Sequence, residues 1–75
     1  MKLFNVPRRT WVALAEHAYV PPDHGALNPD AVLYFDHLDG MYSFCRTLQG
    51  QVVHPAAWTE VEVAPPPEPL PEWAR

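Results

Sequence analysis

The sequence predicts a small all-β fold of about five strands, and three observations carry that reading. Two turn dipeptides, Asp39-Gly40 and Gln49-Gly50, cut the stretch Ala31 to Ala64 into apolar and aromatic runs of strand length. Thr59 to Val63 alternates strictly, Val61 and Val63 on one face and Glu60 and Glu62 on the other, the pattern of a half-buried strand. The chain has 75 residues, so one domain is its ceiling, and a core of that size supplies a stability of only about 3–5 kcal/mol.

Taken in order, Lys2 to Val6 is a short, partly apolar segment ended by Pro7, either an edge strand or an ordered arm. Arg8-Arg9 is the one basic cluster. Thr10 to Ala18 fits two templates: Val12 and Leu14 alternate as in a strand, while Trp11, Leu14, Ala15 and Ala18 fall at helical spacing. Its β-branched and aromatic start puts strand ahead of helix. Tyr19 to Asp30 holds Pro21-Pro22, Gly25 and Asn28-Pro29-Asp30, and reads as a loop long enough to carry function. Ala31 to His37 is a strand, and Asp39-Gly40 is a type I′ hairpin signal. Met41 to Thr47 follows, then a turn in which Gly50 supplies a left-handed position. Gln51 to His54 is a shorter strand. Pro55 to Trp58 predicts a single 3₁₀ turn, proline being pre-set for the first helical position. From Pro65 onward, Pro-Pro-Pro-Glu-Pro-Leu-Pro-Glu-Trp-Ala-Arg cannot join a sheet, because proline lacks the donor. The expected organisation is a β domain over residues 1–64 and a disordered, polyproline-like tail over 65–75.

The order of these elements, from Trp11 to Glu16 through the hairpins at Asp39-Gly40 and Gln49-Gly50 to the turn at Pro55 to Trp58 and the strand to Val63, resembles the SH3-like small β-barrel. The resemblance covers about residues 10–64 and implies a closed barrel. The bacterial members of this architecture, such as the transcription-elongation barrels, are nearer to it than eukaryotic signalling domains. A second resemblance, carried by Arg8-Arg9-Thr10-Trp11, Tyr34-Phe35-Asp36-His37 and His54-Pro55-Ala56-Ala57-Trp58, is to small phage-encoded regulators that bind host RNA polymerase. It implies a protein that blocks initiation or lets polymerase read through terminators.

Composition excludes several classes. Nine acidic residues against five basic ones give a net charge of −4, which opposes non-specific binding to nucleic acid. A lone cysteine, Cys45, rules out an internal disulfide and points to the cytoplasm. No stretch approaches the ~20 apolar residues of a membrane helix. The possible metal ligands His17, His24, His37, His54 and Cys45 show no C-x-x-C or H-x₃₋₅-H spacing, so neither a metal nor a cofactor is expected. Cys45 with His37 or His54, or Ser43 with His37 and Asp36, supplies the residue types of a nucleophilic triad, but a thiol in an apolar strand is usually a buried small hydrophobe. No enzymatic activity is expected.

What remains is a surface. On Met41 to Thr47, Tyr42, Phe44 and Arg46 share one face and Met41, Ser43 and Cys45 the other, and the sequence leaves open which looks outward. An exposed Tyr-Phe-Arg row has the composition of a binding hot spot. The expected function is a monomeric, non-catalytic protein-interaction module, in its most specific form a phage-encoded regulator binding host RNA polymerase or an attached factor. The residues expected to carry it are Arg8, Arg9, Trp11, Tyr42, Phe44 and Arg46, with His24 and Asn28 on the long loop. Direct contact with nucleic acid through the same basic and aromatic residues is the alternative. A structural or assembly protein is a third reading.

Overall fold

Three antiparallel ladders around two central strands organise the molecule. The computed structural model describes residues 1–19 and 26–75. Its strands are β1 (Thr10–Leu14), β2 (Ala18–Tyr19), β3 (Ala26–Leu27), β4 (Val32–Asp39), β5 (Tyr42–Arg46), β6 (Val52–Val53) and β7 (Val61–Val63). A five-stranded antiparallel sheet runs in the order β6-β5-β4-β1-β7, and β2 pairs with β3 in a separate ladder. The ambiguous stretch after Thr10 is therefore a strand, and the long loop is partly structured, since Leu27 pairs with Ala18.

Two details of the turns differ from the sequence reading. Asp39 pairs with Tyr42, so the central residues of the first hairpin are Gly40 and Met41. Gly40 has φ +67° and Met41 does not have positive φ, the pattern of a II′ turn rather than a I′ turn. The second hairpin behaves as expected. Gly50, at φ +86°, donates its N–H to Thr47 O at 2.9 Å. The expected 3₁₀ turn at Pro55 to Trp58 is a single hydrogen-bonded turn instead, Thr59 N–H donating to Ala56 O at 3.0 Å. Among the described residues, the two 3₁₀ segments are Leu3–Asn5 and Glu72–Ala74.

One sheet face makes the core. Val12, Leu14, Leu33, Phe35, Cys45, Val53 and Val61 point into it, and Leu3, Val6 and Ala18 close it from the other side. Val61 is fully buried, but Val63, expected beside it, is 55% exposed, although it still pairs with Val12 at the edge of the sheet.

The sheet does not close into a barrel. β6 and β7 follow one another in sequence yet occupy its opposite edges. The reason is visible in the ladder. The N-terminal arm runs along the start of β7 and the residues before it: Leu3 N–H donates to Thr59 O at 2.9 Å, Val61 N–H to Met1 O at 2.8 Å, and the Met1 amine to Val61 O at 2.9 Å. With both backbone groups of Val61 already bonded to Met1, that edge has little left to offer β6.

The C-terminal segment also departs from expectation. No disordered tail is evident. It crosses the sheet face opposite the core and ends in the 3₁₀ turn that carries Trp73. Missing N–H groups keep its prolines out of the ladder, but they do not prevent packing onto side chains.

Candidate protein-binding surface

The sheet face away from the core carries two rows of side chains. The first row crosses three strands. Trp11 on β1 lies opposite Tyr34 on β4, and Tyr34 opposite Arg46 on β5. Trp73 caps the row. Its ring centroid is 5.7 Å from that of Trp11 and 5.8 Å from that of Tyr34, while Trp11 and Tyr34 meet edge-on at 5.1 Å. The Arg46 guanidinium lies 5.7 Å from the centre of the Trp73 ring, within cation–π reach. The indole N–H of Trp73 donates to Leu48 O at 3.1 Å. A side chain at Gly50 would come within 3.0 Å of the Trp73 ring, so the glycine that the turn requires also opens the space the indole fills. Covered in this way, Trp11 is only 8% exposed. A cleft of about 390 Å³ remains between tail and sheet, lined by Trp11, Tyr34, Pro66, Leu70 and Trp73.

The second row depends on a β-bulge. Phe35 pairs with Cys45 and His37 with Phe44, so Asp36 is the extra residue on β4. The bulge brings His37 onto the outer face, where it stacks on Phe44 at 5.2 Å and 10°. Its Nδ1–H donates to Asp36 Oδ1 at 2.8 Å. His54 meets the other side of Phe44 edge-on at 5.5 Å. His54 has a backbone task as well. Opposite Ser43 sits Pro55, which accepts from Ser43 N–H at 2.8 Å but has no N–H to return. His54 Nδ1–H donates instead to Ser43 O at 2.9 Å, which fixes the imidazole beside Phe44.

Beyond this row, one end of the molecule is apolar and open. Phe4, Leu38, Met41, Tyr42 and Trp58 are between 37% and 65% exposed. They lie on three segments that backbone bonds hold together: Phe4 N–H donates to Ala57 O and Ala57 N–H to Met41 O, both at 2.9 Å. Tyr42 bridges to Ala56. Aromatic residues and methionine are the types enriched at protein interfaces.

The triad residue types do not assemble. Ser43 and Cys45 both point into the core. The Ser43 hydroxyl donates to Pro55 O at 2.7 Å, and the Cys45 thiol lies 3.3 Å from Ser43 Oγ. Burial pushes the Cys45 thiol up to about 11, against a smaller lowering by the Ser43 hydrogen bond. A thiol held neutral and enclosed is a poor nucleophile. Among the described residues no group of three or more His, Cys, Asp or Glu side chains is placed to hold a metal. At the arm, Glu60 accepts from the Met1 amine at 2.6 Å and from Lys2 Nζ at 3.1 Å, and these contacts hold its carboxyl below the usual range.

The structure thus distributes the residues singled out in the sequence. The question left open for β5 is answered: Ser43 and Cys45 face the core, and Tyr42, Phe44 and Arg46 face away from it. Trp11 and Arg46 meet through Trp73, and Phe44 sits between two histidines. Arg8 and Arg9 are exposed ahead of β1, where Arg9 takes φ 59° and donates its N–H to Asp36 O at 3.2 Å. Asn28 is exposed at the start of a turn whose third residue, Asp30, has φ 71°, and Asn28 O accepts from Ala31 N–H at 3.1 Å. His24 lies outside the described residues. Sequence reasoning set docking by Leu70 and Trp73 behind a solvated tail, and missed Gly50 as part of the Trp73 site and Phe4, Met41 and Trp58 as parts of one patch. The available signal was modest: a tryptophan near the end of a proline-rich run is an anchor seeking a surface. Comparison of the chain with protein-family models, with curated proteins and with solved structures returned no match.

Proposed function

We propose that this chain is a non-catalytic protein-interaction module whose binding surface is the apolar end formed by Phe4, Leu38, Met41, Tyr42 and Trp58. The observation that carries the reading is that these large apolar side chains are all exposed and sit on backbone segments hydrogen-bonded to one another, with Leu38 and Tyr42 on opposite faces of the hairpin. Such a surface needs little ordering when it binds, and large aromatic anchors of this kind contribute most of the energy at protein interfaces. Tyr42 and the adjoining Phe44 extend it along β5.

The specific form of the proposal is a phage-encoded regulator acting in the host cytoplasm, which binds host RNA polymerase or a factor attached to it. It occupies a site that another factor needs and so alters initiation or termination. Support for this form is the resemblance stated for Arg8 to Trp11, Tyr34 to His37 and His54 to Trp58, together with an exposed aromatic surface and a thiol unsuited to chemistry. The experiment is affinity capture from a host lysate with the wild-type chain and with a Met41→Ser/Tyr42→Ala variant, whose replaced side chains are exposed and outside the core. The wild type is expected to retain polymerase subunits and the variant to lose them. Capture without any polymerase subunit removes the specific form, and equal capture by the variant moves the binding surface elsewhere. If the exposed arginines and aromatics bind nucleic acid instead, affinity for a single-stranded oligonucleotide falls steeply with salt.

A further inference from the structure

We infer that the depression formed by Trp11, Tyr34, Arg46 and Gly50 is a peptide-binding site for a proline-flanked tryptophan, that residues 65–75 occupy it in cis, and that a partner protein's segment of the same chemistry takes it in trans. This site lies under the tail, away from the apolar end proposed above, and stands without that reading.

The chemistry of the ligand is read from its occupant. The indole is recognised in four ways: an aromatic shelf of Trp11 and Tyr34, a guanidinium 5.7 Å from the ring centre, a carbonyl at 3.1 Å from Nε1, and a glycine that leaves room for the ring. Phenylalanine has no donor for Leu48 O, and tyrosine's donor sits at the wrong end of its ring. The flanking prolines hold the approaching chain extended before it binds, so a proline-rich segment loses little entropy on docking.

The occupant's hold is limited. Among the described residues, Trp73 Nε1–H to Leu48 O is the hydrogen bond that ties the segment after Pro65 to the sheet. Its other hydrogen bonds are internal: Ala74 N–H to Pro71 O, Arg75 N–H to Glu72 O, and Arg75 Nε–H to Leu70 O. The cleft of about 390 Å³ left beneath it shows that Pro66 and Leu70 do not fill the surface they cross. A partner segment that fills that space gains contacts the tail lacks. It competes against a tethered ligand whose effective concentration is on the order of millimolar, so the site opens only to a ligand better than its own tail or presented at high local concentration.

The test uses the full chain and a synthetic peptide with the sequence of residues 65–75. In the wild type labelled with 5-fluorotryptophan, Trp11, Trp58 and Trp73 give separate ¹⁹F signals. Millimolar peptide is expected to move the Trp73 signal toward that of an exposed tryptophan and to leave Trp58 unchanged. A peptide with alanine in place of the tryptophan is expected to do nothing. In the full chain carrying Trp73→Ala, dye-labelled peptide is expected to bind at least about tenfold more tightly than to the wild type, because the tethered competitor has lost its anchor. Adding Arg46→Ala is expected to weaken that binding severalfold. The inference is overturned if the Trp73 signal does not move and the Trp73→Ala chain shows no saturable binding. It is overturned equally if the alanine peptide binds as well, or if the wild type alone dimerises at these concentrations with the same change at Trp73, which assigns the site to a second copy.

Discussion

Truncating Trp73 to alanine is expected to destabilise the whole domain, although the residue belongs to a segment that composition alone marks as a loose tail. Removing a fully buried tryptophan costs about 3–5 kcal/mol. Trp73 is only partly buried, so less than that applies, about 2 kcal/mol, a figure that includes its ring contacts with Trp11 and Tyr34 and its place beside Arg46. The hydrogen bond to Leu48 O accounts for about 1 kcal/mol of it. In a domain of this size each kcal/mol moves Tm by about 4–8 °C, so a loss near 10 °C is expected. Thermal melts of the full chain followed by circular dichroism read it directly, with urea titration as the independent measure. Trp73→Phe, which keeps a ring but not the donor, should fall between the two. A Tm for Trp73→Ala within about 2 °C of the wild type would refute the reasoning. The tail would then be solvated and the shelf under it of no consequence to stability.

Four further outcomes follow from the same geometry. Val61→Asp places a charge in the centre of the core and is expected to abolish the folded circular dichroism spectrum, because Val61 has no exposed surface. Gly40→Ala and Gly50→Ala both force alanine into positive φ, at about 1–2 kcal/mol each, but only at Gly50 does the new Cβ meet the Trp73 ring. The excess at Gly50 should vanish in a Trp73→Ala background, and a double-mutant cycle in urea measures it. His54→Ala removes the donor that replaces the missing proline N–H opposite Ser43 and should cost about 1 kcal/mol in the same assay. Finally, Cys45 should resist a thiol reagent at pH 8 until the protein unfolds. Its folded pKa of about 11 lies above the ordinary value of 9.0, so its contribution to stability is complete below pH 9 and lost as pH rises toward 11. A Cys45→Ala variant should show a flatter alkaline limb in urea melts taken across that range.

Local rules carried much of the fold. The strands around Asp39-Gly40 and Gln49-Gly50 were legible because turn chemistry and period-two alternation act within a few residues. The exact hairpin position was not, since Asp39-Gly40 and Gly40-Met41 both satisfy a two-residue turn and only the bulge at Asp36 decides between them. Barrel closure was misjudged for a non-local reason. Whether β6 meets β7 depends on what else occupies the edge of β7, and that is the arm of Met1 to Leu3, some sixty residues away in sequence. Of the candidate surface, the outward row of β5 was visible as a choice between two faces. Its resolution rests on Ser43, a polar residue whose side the sequence left open and that is buried because Pro55 O accepts its hydroxyl. The docking of Trp73 was the least legible, because it joins a turn glycine, a cation on β5 and two aromatics on separate strands that nothing in the local sequence connects.

The pairing of Met1 to Leu3 along β7 also limits how this molecule can be recognised. With Met1 hydrogen-bonded to Val61 on one side and β1 on the other, β7 offers little free main-chain edge. The opposite edge, β6, is two residues long, and Pro55, just beyond His54, cannot donate. A partner therefore has little backbone to zip onto, and strand addition, which tolerates many sequences because it reads the peptide backbone, is disfavoured. Recognition must run through side chains, where a single substitution on either molecule changes the fit. A protein built this way is suited to choosing one partner surface rather than adhering to many.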